Sequence, residues 1–323
     1  MQLGLIGLGK MGGNMRDRLR AAGQEVVGYD RNPGVSDVDS IEGLVKALAA
    51  PRVVWVMVPS GAPTRATVEE VGALLESGDL VIEGGNSRWT DDTLHAELLG
   101  ARGVGYVDCG VSGGVWGREN GYGLMVGGSS ENVERAMPIF DALRPEGPRD
   151  EGFVHAGDVG AGHYAKMVHN GIEYGLMQAY AEGYELLAAK ELVTDVHGAF
   201  KAWTRGTVVR SWLLDLLVKA LEEDQDLKAI TGYVQDSGEG RWTLEEGIAN
   251  AVPMPALAAS LFTRFASRQD DSPAMKAVAA LRNQFGGHAV LGAGPSSGTG
   301  AVPRTDARDA TEAGPTSGTG SVS

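Results

Sequence analysis

The chain has 323 residues, 28 basic and 42 acidic, for a formal charge of −14, with 43% apolar residues, 48 glycines and one cysteine. At roughly 150 residues per domain this length suggests two domains, and the acidic balance speaks against a nucleic-acid binder, which needs a basic face for phosphates. Cys109 alone makes neither an internal disulfide nor a thiolate zinc site, no apolar run approaches the ~18 residues of a membrane span, and the first ten residues lack the basic head and apolar core of a secretory signal. The expectation is a cytoplasmic enzyme that avoids membranes and nucleic acids.

Leu3-Gly4-Leu5-Ile6 reads as a first strand, followed by a glycine turn and a helix to about residue 22. Glu25-Val26-Val27-Gly28-Tyr29 reads as a second strand, and Val53-Val54-Trp55-Val56-Met57-Val58 as a strand buried on both faces, the mark of a parallel sheet. Leu80-Val81-Ile82-Glu83 and Gly105-Tyr106-Val107-Asp108 continue the rhythm with helical stretches between them. Strand and helix in alternation predict an α/β, Rossmann-like doubly wound domain over residues 1–156. From 162 to about 190 no proline interrupts a single long helix. A second helix is expected near 208–221, with Val208, Val209, Trp212, Leu213, Leu216, Leu217 and Ala220 on one apolar stripe that reads as core or subunit packing. A further helix follows Pro255, giving an all-α second domain over 157–292. The segment 293–323 has no aromatic residue and is rich in Gly, Ser, Thr, Ala and Pro. That composition predicts a disordered low-complexity tail.

Gly7-Leu8-Gly9-Lys10-Met11-Gly12 is a G-x-G-x-x-G set directly after the first strand and opening a helix. Its glycines suit a tight turn, a close approach to a pyrophosphate and helix–strand packing, and the helix start offers free N–H groups to phosphate. Asp30 ends the second strand, where a carboxylate grips ribose hydroxyls. A 2′-phosphate 4 Å from it would be repelled by about 4 kcal/mol at an effective dielectric of 20. Arg31 next to it offsets part of that repulsion, so NAD is expected in preference to NADP, with NADP still possible. Val58, Pro59 and Asn86 complete the expected cofactor-binding set with Gly7, Leu8, Gly9, Met11, Gly12, Asp30 and Arg31.

The stretch His163-Tyr164-Ala165-Lys166-Met167-Val168-His169-Asn170-Gly171-Ile172-Glu173-Tyr174 puts Lys166, Asn170 and Glu173 on one helix face, with Tyr174 and His169 alongside. Met167, Val168 and Ile172 are expected to bury the opposite face. A solvated polar surface is the bland alternative for the first face, and simple packing for His169. The helix follows the last strand and so should lie against the nucleotide cleft.

At this point the chain resembles the 6-phosphogluconate dehydrogenase family, in its short form with a single set of helices. The resemblance covers about residues 1–290. It rests on the glycine turn continued as Gly13-Asn14, on Glu83-Gly84-Gly85-Asn86-Ser87, on Gly110-Val111-Ser112-Gly113-Gly114 and on the string from Lys166 to Tyr174. Val252-Pro253-Met254-Pro255 and Arg282-Asn283-Gln284-Phe285-Gly286-Gly287-His288 extend it. The resemblance implies oxidative decarboxylation of a sugar-acid phosphate to a ketose phosphate and carbon dioxide. Lys166 would be the base that takes the hydroxyl proton, Glu173 the acid that protonates carbon one, and Asn170 and His169 would orient Lys166 and the reacting hydroxyl; no metal would then be required. Ser112, Gly113 and Gly114 would hold the substrate's carboxylate, with Asn86 between substrate and nicotinamide, and Tyr174, Arg264, Arg282 and His288 its phosphate. The resemblance also implies a homodimer or homotetramer in which the Arg282–His288 segment reaches a neighbouring subunit's site. Two departures stand out: Glu83 replaces an aspartate, and Ser237-Gly238-Glu239-Gly240-Arg241-Trp242 stands where the family has Lys-Gly-Thr-Gly-Lys-Trp. Glu239 would repel a phosphate if it pointed inward. The alternatives are an NAD-dependent 3-hydroxyacid dehydrogenase for another acid and a catalytically silent dinucleotide sensor; retention of both Lys166 and Glu173 argues against the sensor.

Overall fold

A computed structural model describes residues 1–291; the segment for which a low-complexity tail is expected lies outside the described residues. The chain divides into two units, Met1–Arg268 and Gln269–Ser323. The first unit runs β1 (Gln2–Ile6), α1 (Lys10–Ala21), β2 (Glu25–Tyr29), α2 (Ile41–Ala47), β3 (Val53–Val56), α3 (Ala62–Leu74), β4 (Leu80–Glu83), α4 (Trp89–Gly100) and β5 (Gly105–Ser112). It continues with α5 (Gly117–Asn120), β6 (Gly123–Gly128), α6 (Ser130–Leu143), β7 (Phe153–Gly157), α7 (Ala161–Ala188), α8 (Val196–Trp203), α9 (Trp212–Glu223), α10 (Glu239–Ala249) and α11 (Pro255–Ala266).

The strands form one seven-stranded sheet in the order β2-β1-β3-β4-β5-β6-β7. The first five are parallel; β6 runs antiparallel to β5, and β7 parallel to β6. The α/β fold with a doubly wound sheet and following helices thus appears as expected, while β6 and β7 add to the five strands read from the sequence. Successive strand residues point to opposite faces, and two cores follow. Leu3, Leu5, Trp55 and Ile82 meet Met15 and Leu19 of α1 and Phe140 of α6 on one face. Ile6, Val54, Val56 and Val81 meet Leu44 of α2, Val68 of α3 and Leu99 of α4 on the other. Both faces are therefore covered, which is why β3 and β4 read as continuous apolar runs.

Beyond the sheet, a third core gathers Phe200, Leu214, Val218 and Leu221 against Tyr180, Tyr184 and Leu187 of α7. Leu217 of the expected stripe packs against this core too, so the core reading holds in part and is corrected for the residues before α9. Ser211 accepts a hydrogen bond from the Leu214 backbone N–H and starts α9 at Trp212. Val208, Val209 and Trp212 are exposed, Val208 completely so. The buried set is Leu214, Val218 and Leu221, one residue out of phase with the expected stripe. In the second unit, α12 (Pro273–Gly286) is capped by Ser272 and ends at Gly287, whose φ is +63°.

Candidate active site

The turn between β1 and α1 is shaped by what a side chain would strike. Gly7 has a φ of +93°, and a Cβ on it would stand 2.3 Å from the Met57 carbonyl oxygen. A Cβ on Gly12 would stand 1.9 Å from the Gly7 carbonyl oxygen, so only glycine fits either place. Gly9 has nothing within 4 Å of its Cβ position. It is also the N-cap of α1 and supplies no side-chain bond to the first turn, which leaves N–H groups and the helix's positive end for an anion.

A cavity of about 770 Å³ opens here, reached by the loops that follow β1, β2, β3 and β4. Gly7, Gly9, Met11, Gly12, Asp30, Arg31, Val58, Pro59 and Asn86 line it, so the expected cofactor residues converge, with one correction. Leu8 packs into the core at 6% exposure, and its contribution is a backbone N–H that donates to Asp30 Oδ2 at 2.7 Å. Asp30 Oδ1 accepts from the Asn32 N–H at 2.8 Å, and each carboxylate oxygen keeps a further lone pair. Ser60, Thr67 and Glu70 also line the cavity; no motif marks them, and only the adjacency of β1 and β3 in the sheet brings them there. The size, the glycine cradle and the uncapped helix start all fit a dinucleotide.

α7 sits on β5 and β6 because glycines let it come close. A Cβ on Gly110 would lie 2.3 Å from Lys166 Cβ, and one on Gly162 would lie 2.4 Å from the Met125 carbonyl oxygen. The helix buries His163, Lys166, Met167, Asn170, Gly171 and Tyr174. This corrects the expectation about Met167, Val168 and Ile172: Met167 is buried, but Ile172 is 51% exposed. The polar face is the one turned inward.

Lys166 Nζ donates to Asn170 Oδ1. The same oxygen lies 3.1 Å from His169 Nδ1, and His169 Nε2 lies 3.5 Å from Ser112 Oγ. Glu173, partly exposed, has a carboxylate oxygen 3.9 Å from His169 Nδ1. Burial pushes the Lys166 ammonium below its ordinary range, and the Glu239 and Glu173 carboxylates partly restore it. Three consecutive residues of β5 join this group to the nucleotide cavity. Gly110 faces Lys166, Val111 lines the cavity, and Ser112 reaches His169. Gly113 and Gly114 follow at φ of +143° and +55°, and Asn14 Nδ2 of α1 donates to the Val115 carbonyl oxygen at 3.3 Å, tying this loop to the nucleotide helix.

Tyr174, Ser237 and Arg264 form a separate corner. The Tyr174 hydroxyl accepts from the Ser237 N–H at 3.1 Å, and the Arg264 guanidinium stacks 3.5 Å from the centre of the Tyr174 ring. Arg241 and Arg268 both pair with Asp236 and hold its carboxyl well below the usual range, which fixes the loop before α10. Glu239 points inward at 2% exposure, towards Lys166 and Asn170. Arg282 and His288, expected at the phosphate, belong to the second unit and are exposed there; Asn283 Nδ2 donates to the His288 carbonyl oxygen at 2.9 Å.

Behind the Lys166 face of α7 lies a cluster that no sequence motif announced. His163 Nδ1 is 2.8 Å from Asp92 Oδ2, His163 Nε2 is 3.7 Å from Glu83 Oε2, and the Tyr106 hydroxyl donates to Asp92 Oδ1 at 2.7 Å. Burial alone would strip the His163 proton, but Asp92 and Glu83 win and carry its pKa up to about 10. Asp108 accepts from the Gly160 and His163 N–H groups, so the same cluster pins the start of α7.

Residues 2–145 match the model of the NAD binding domain of 6-phosphogluconate dehydrogenase, and residues 162–290 match that of the 6-phosphogluconate dehydrogenase C-terminal domain. The chain is 42% identical to an NAD(+)-dependent, decarboxylating 6-phosphogluconate dehydrogenase of Haloferax volcanii, over 90% of this chain and 98% of that one. Its fold is similar to that of Plasmodium falciparum 6-phosphogluconate dehydrogenase, with a TM-score of 0.77 at 24% identity over 95% of this chain and 67% of the other. It is also similar to a Mycobacterium tuberculosis 3-hydroxyisobutyrate dehydrogenase, with a TM-score of 0.65 at 24% identity over 87% of this chain and 99% of the other. Among the described residues no helix is long and apolar enough to cross a membrane.

Proposed function

The chain belongs to the 6-phosphogluconate dehydrogenase family, and from that membership we propose that it converts 6-phosphogluconate to ribulose 5-phosphate and carbon dioxide with NAD. The nicotinamide, when bound in the cavity lined by Gly7, Asp30 and Asn86, supplies the hydride acceptor. Everything else falls to side chains. Lys166, drawn towards neutrality by burial, takes the proton of the substrate's hydroxyl. The resulting ammonium then stabilises the oxyanion that forms as carbon dioxide leaves. Glu173 protonates carbon one of the enediol, and Asn170 and His169 keep Lys166 and the reacting hydroxyl in line. Ser112, Gly113, Gly114 and Asn86 receive the carboxylate side, and Tyr174 with Arg264 receives the phosphate. Arg282 and His288 of a neighbouring copy complete that corner, in a homodimer or homotetramer. Residues 1–156 serve the cofactor and 157–292 the substrate and assembly.

The observation that carries this reading is Lys166 itself: a buried amine bonded to Asn170 and packed on the strand whose next residue, Val111, lines the dinucleotide cavity. Reduction of nicotinamide followed at its near-ultraviolet absorbance with 6-phosphogluconate, in parallel with NAD and NADP, tests it. Fast reduction with NAD supports the substrate and the Asp30 argument together; no reduction with either, in a protein that still binds NAD, refutes the substrate. A second reading, a dehydrogenase of an unphosphorylated 3-hydroxy acid, draws on the inward carboxylate of Glu239 and predicts turnover of such an acid in the same assay.

A further inference from the structure

Asn86 belongs to no helix or strand: it lies in the loop between β4 and α4, exposed and lining the dinucleotide cavity. Both ends of that loop are tied to the helices behind it. At the root, Glu83 Oε1 accepts from the Gly85 N–H at 2.7 Å, and Glu83 Oε2 lies 3.7 Å from His163 Nε2 of α7. At the exit, Arg88 Nη2 donates to Glu245 Oε2 at 2.8 Å, and Trp89 Nε1 donates to Glu246 Oε1 at 3.2 Å. Both of these carboxylates belong to α10. The second oxygen of Glu246 is engaged as well, accepting from Asn250 Nδ2 at 3.3 Å.

The exit reaches α7 by further routes. The Trp89 ring meets Tyr164 edge-on, with centres 5.6 Å apart at 76°, and Tyr164 stands two residues before Lys166. The Trp89 carbonyl oxygen would lie 3.2 Å from a Cβ on Gly160, the N-cap of α7. From the other side, Thr243, one turn before Glu246, donates to the Met167 carbonyl oxygen at 2.9 Å. Trp89, Glu246, Thr243 and Met167 thus form a path from the Asn86 loop to the residue next to Lys166. Of the two bonds at the exit, Arg88–Glu245 joins side chains 42% and 54% exposed, and such a pair contributes little. The Trp89–Glu246 bond is partly buried, and an indole has only that one N–H to place. It is the stronger tie.

We propose that Trp89 and Glu246 are positioning residues for the reaction: their bond clamps the loop after β4 to the α7–α10 pair and so sets Asn86 relative to Lys166. The inference rests on the reading that puts the substrate between those two side chains. Neither Trp89 nor Glu246 lines the cavity, so both act through the backbone that carries Asn86. Hydride and proton transfer need the reacting atoms in line, and a small misplacement is costly. With the exit released, the loop would be held mainly at its Glu83 root, and Asn86 would range over positions in which the bound sugar acid is turned away from the amine. The cradle at Gly7, Gly12 and Asp30 belongs to other loops and does not feel the bond.

Three variants of the full chain test this. Trp89→Phe removes only the N–H and keeps a ring against Tyr164, Glu246→Ala removes the acceptor, and Glu246→Gln keeps one. In Trp89→Phe and Glu246→Ala, kcat for 6-phosphogluconate is expected to fall about tenfold while NAD affinity in calorimetry changes by less than about threefold. Glu246→Gln should restore the rate, and the double variant should be no slower than either single one, since both remove the same contact. Nuclear magnetic resonance of the chain labelled with 15N in asparagine reads the clamp without substrate, with Asn86→Ala assigning the Asn86 side-chain amide. That signal should move or broaden in Trp89→Phe and Glu246→Ala and return to its parent position in Glu246→Gln. Trp89→Phe carries the test if Glu246→Ala does not fold. An unmoved amide signal overturns the proposal, and so does a Trp89→Phe enzyme as fast as the parent. If the parent does not turn over 6-phosphogluconate at all, the functional reading fails there, while the Asn86 amide still decides whether the bond holds the loop.

Discussion

Gly110→Ala is the smallest change that should separate chemistry from cofactor binding. The added methyl would stand 2.3 Å from Lys166 Cβ, 2.9 Å from Lys166 Cγ and 3.0 Å from the Gly162 carbonyl oxygen. Carbon atoms in ordinary contact sit about 3.5–4.0 Å apart, so α7 or β5 has to give by more than 1 Å at the lysine itself. Neither moves freely: Gly110 is paired with Met125 of β6, and the start of α7 is held by Asp108. Overpacking of this kind costs about 1–3 kcal/mol of stability, and a displacement of about 1 Å at a catalytic group costs roughly a hundredfold in rate. Turnover of 6-phosphogluconate should therefore fall about a hundredfold in a folded protein whose melting point is a few degrees lower. The cradle around Gly7 and Gly12 is untouched, so NAD affinity, read by calorimetry, should change by less than about threefold. A variant with kcat within about threefold of the parent would refute the claim that close seating of α7 on β5 sets the lysine.

Lys166→Ala should abolish turnover, with NAD affinity in calorimetry nearly intact; retained activity would sink the lysine mechanism. Asp30→Asn keeps an oxygen for the Leu8 N–H but removes the charge that repels a 2′-phosphate. The ratio of kcat/KM for NAD to that for NADP should drop by at least tenfold, as steady-state kinetics with both cofactors would reveal. The folded protein favours the charged form of His163, so that group's stabilisation is complete below about pH 6.5, its ordinary value, and is lost as pH climbs towards about 10. Urea titrations should show that decline in the parent. His163→Gln leaves Glu83 and Asp92 buried without their cation and should lose about 3–5 kcal/mol; a loss under about 1 kcal/mol would contradict the pairing.

The sheet's parallel strands were legible because β1, β3 and β4 carry unbroken apolar runs between glycine turns. β6 and β7 were not, since Leu124-Met125-Val126 is bracketed by glycines and β7 is mostly exposed. α7 is visible as a long stretch free of proline, and Met167 of its expected apolar face is buried, but Ile172 is exposed and Lys166 and Asn170 of the polar face are buried as well. A period of 3.6 says which residues share a side; it does not say that the side goes to water, and here the polar side is sealed by the glycines at 110, 162 and 171. Those glycines act through atoms distant in sequence, so nothing local reveals them. The direction of Glu239 was equally hidden, because it follows from the sign of φ at Gly238. The dinucleotide cradle was the most readable part, since its turn, its helix start and its aspartate are local signals in one β-α-β unit.

The bond from the Leu8 N–H to Asp30 Oδ2 has a consequence for how such a protein can change. The side chain that would read the ribose is also a strut of the turn that would hold the pyrophosphate. A lineage moving from one dinucleotide to the other by simple loss of that carboxylate would loosen the cradle in the same step and would bind neither form well. The passable route begins elsewhere, with a replacement that still accepts from Leu8, and adds a cation at the open Arg31 side only afterwards. The choice of dinucleotide in this chain would thus be guarded by geometry, through a residue whose two duties could not be altered one at a time by deletion.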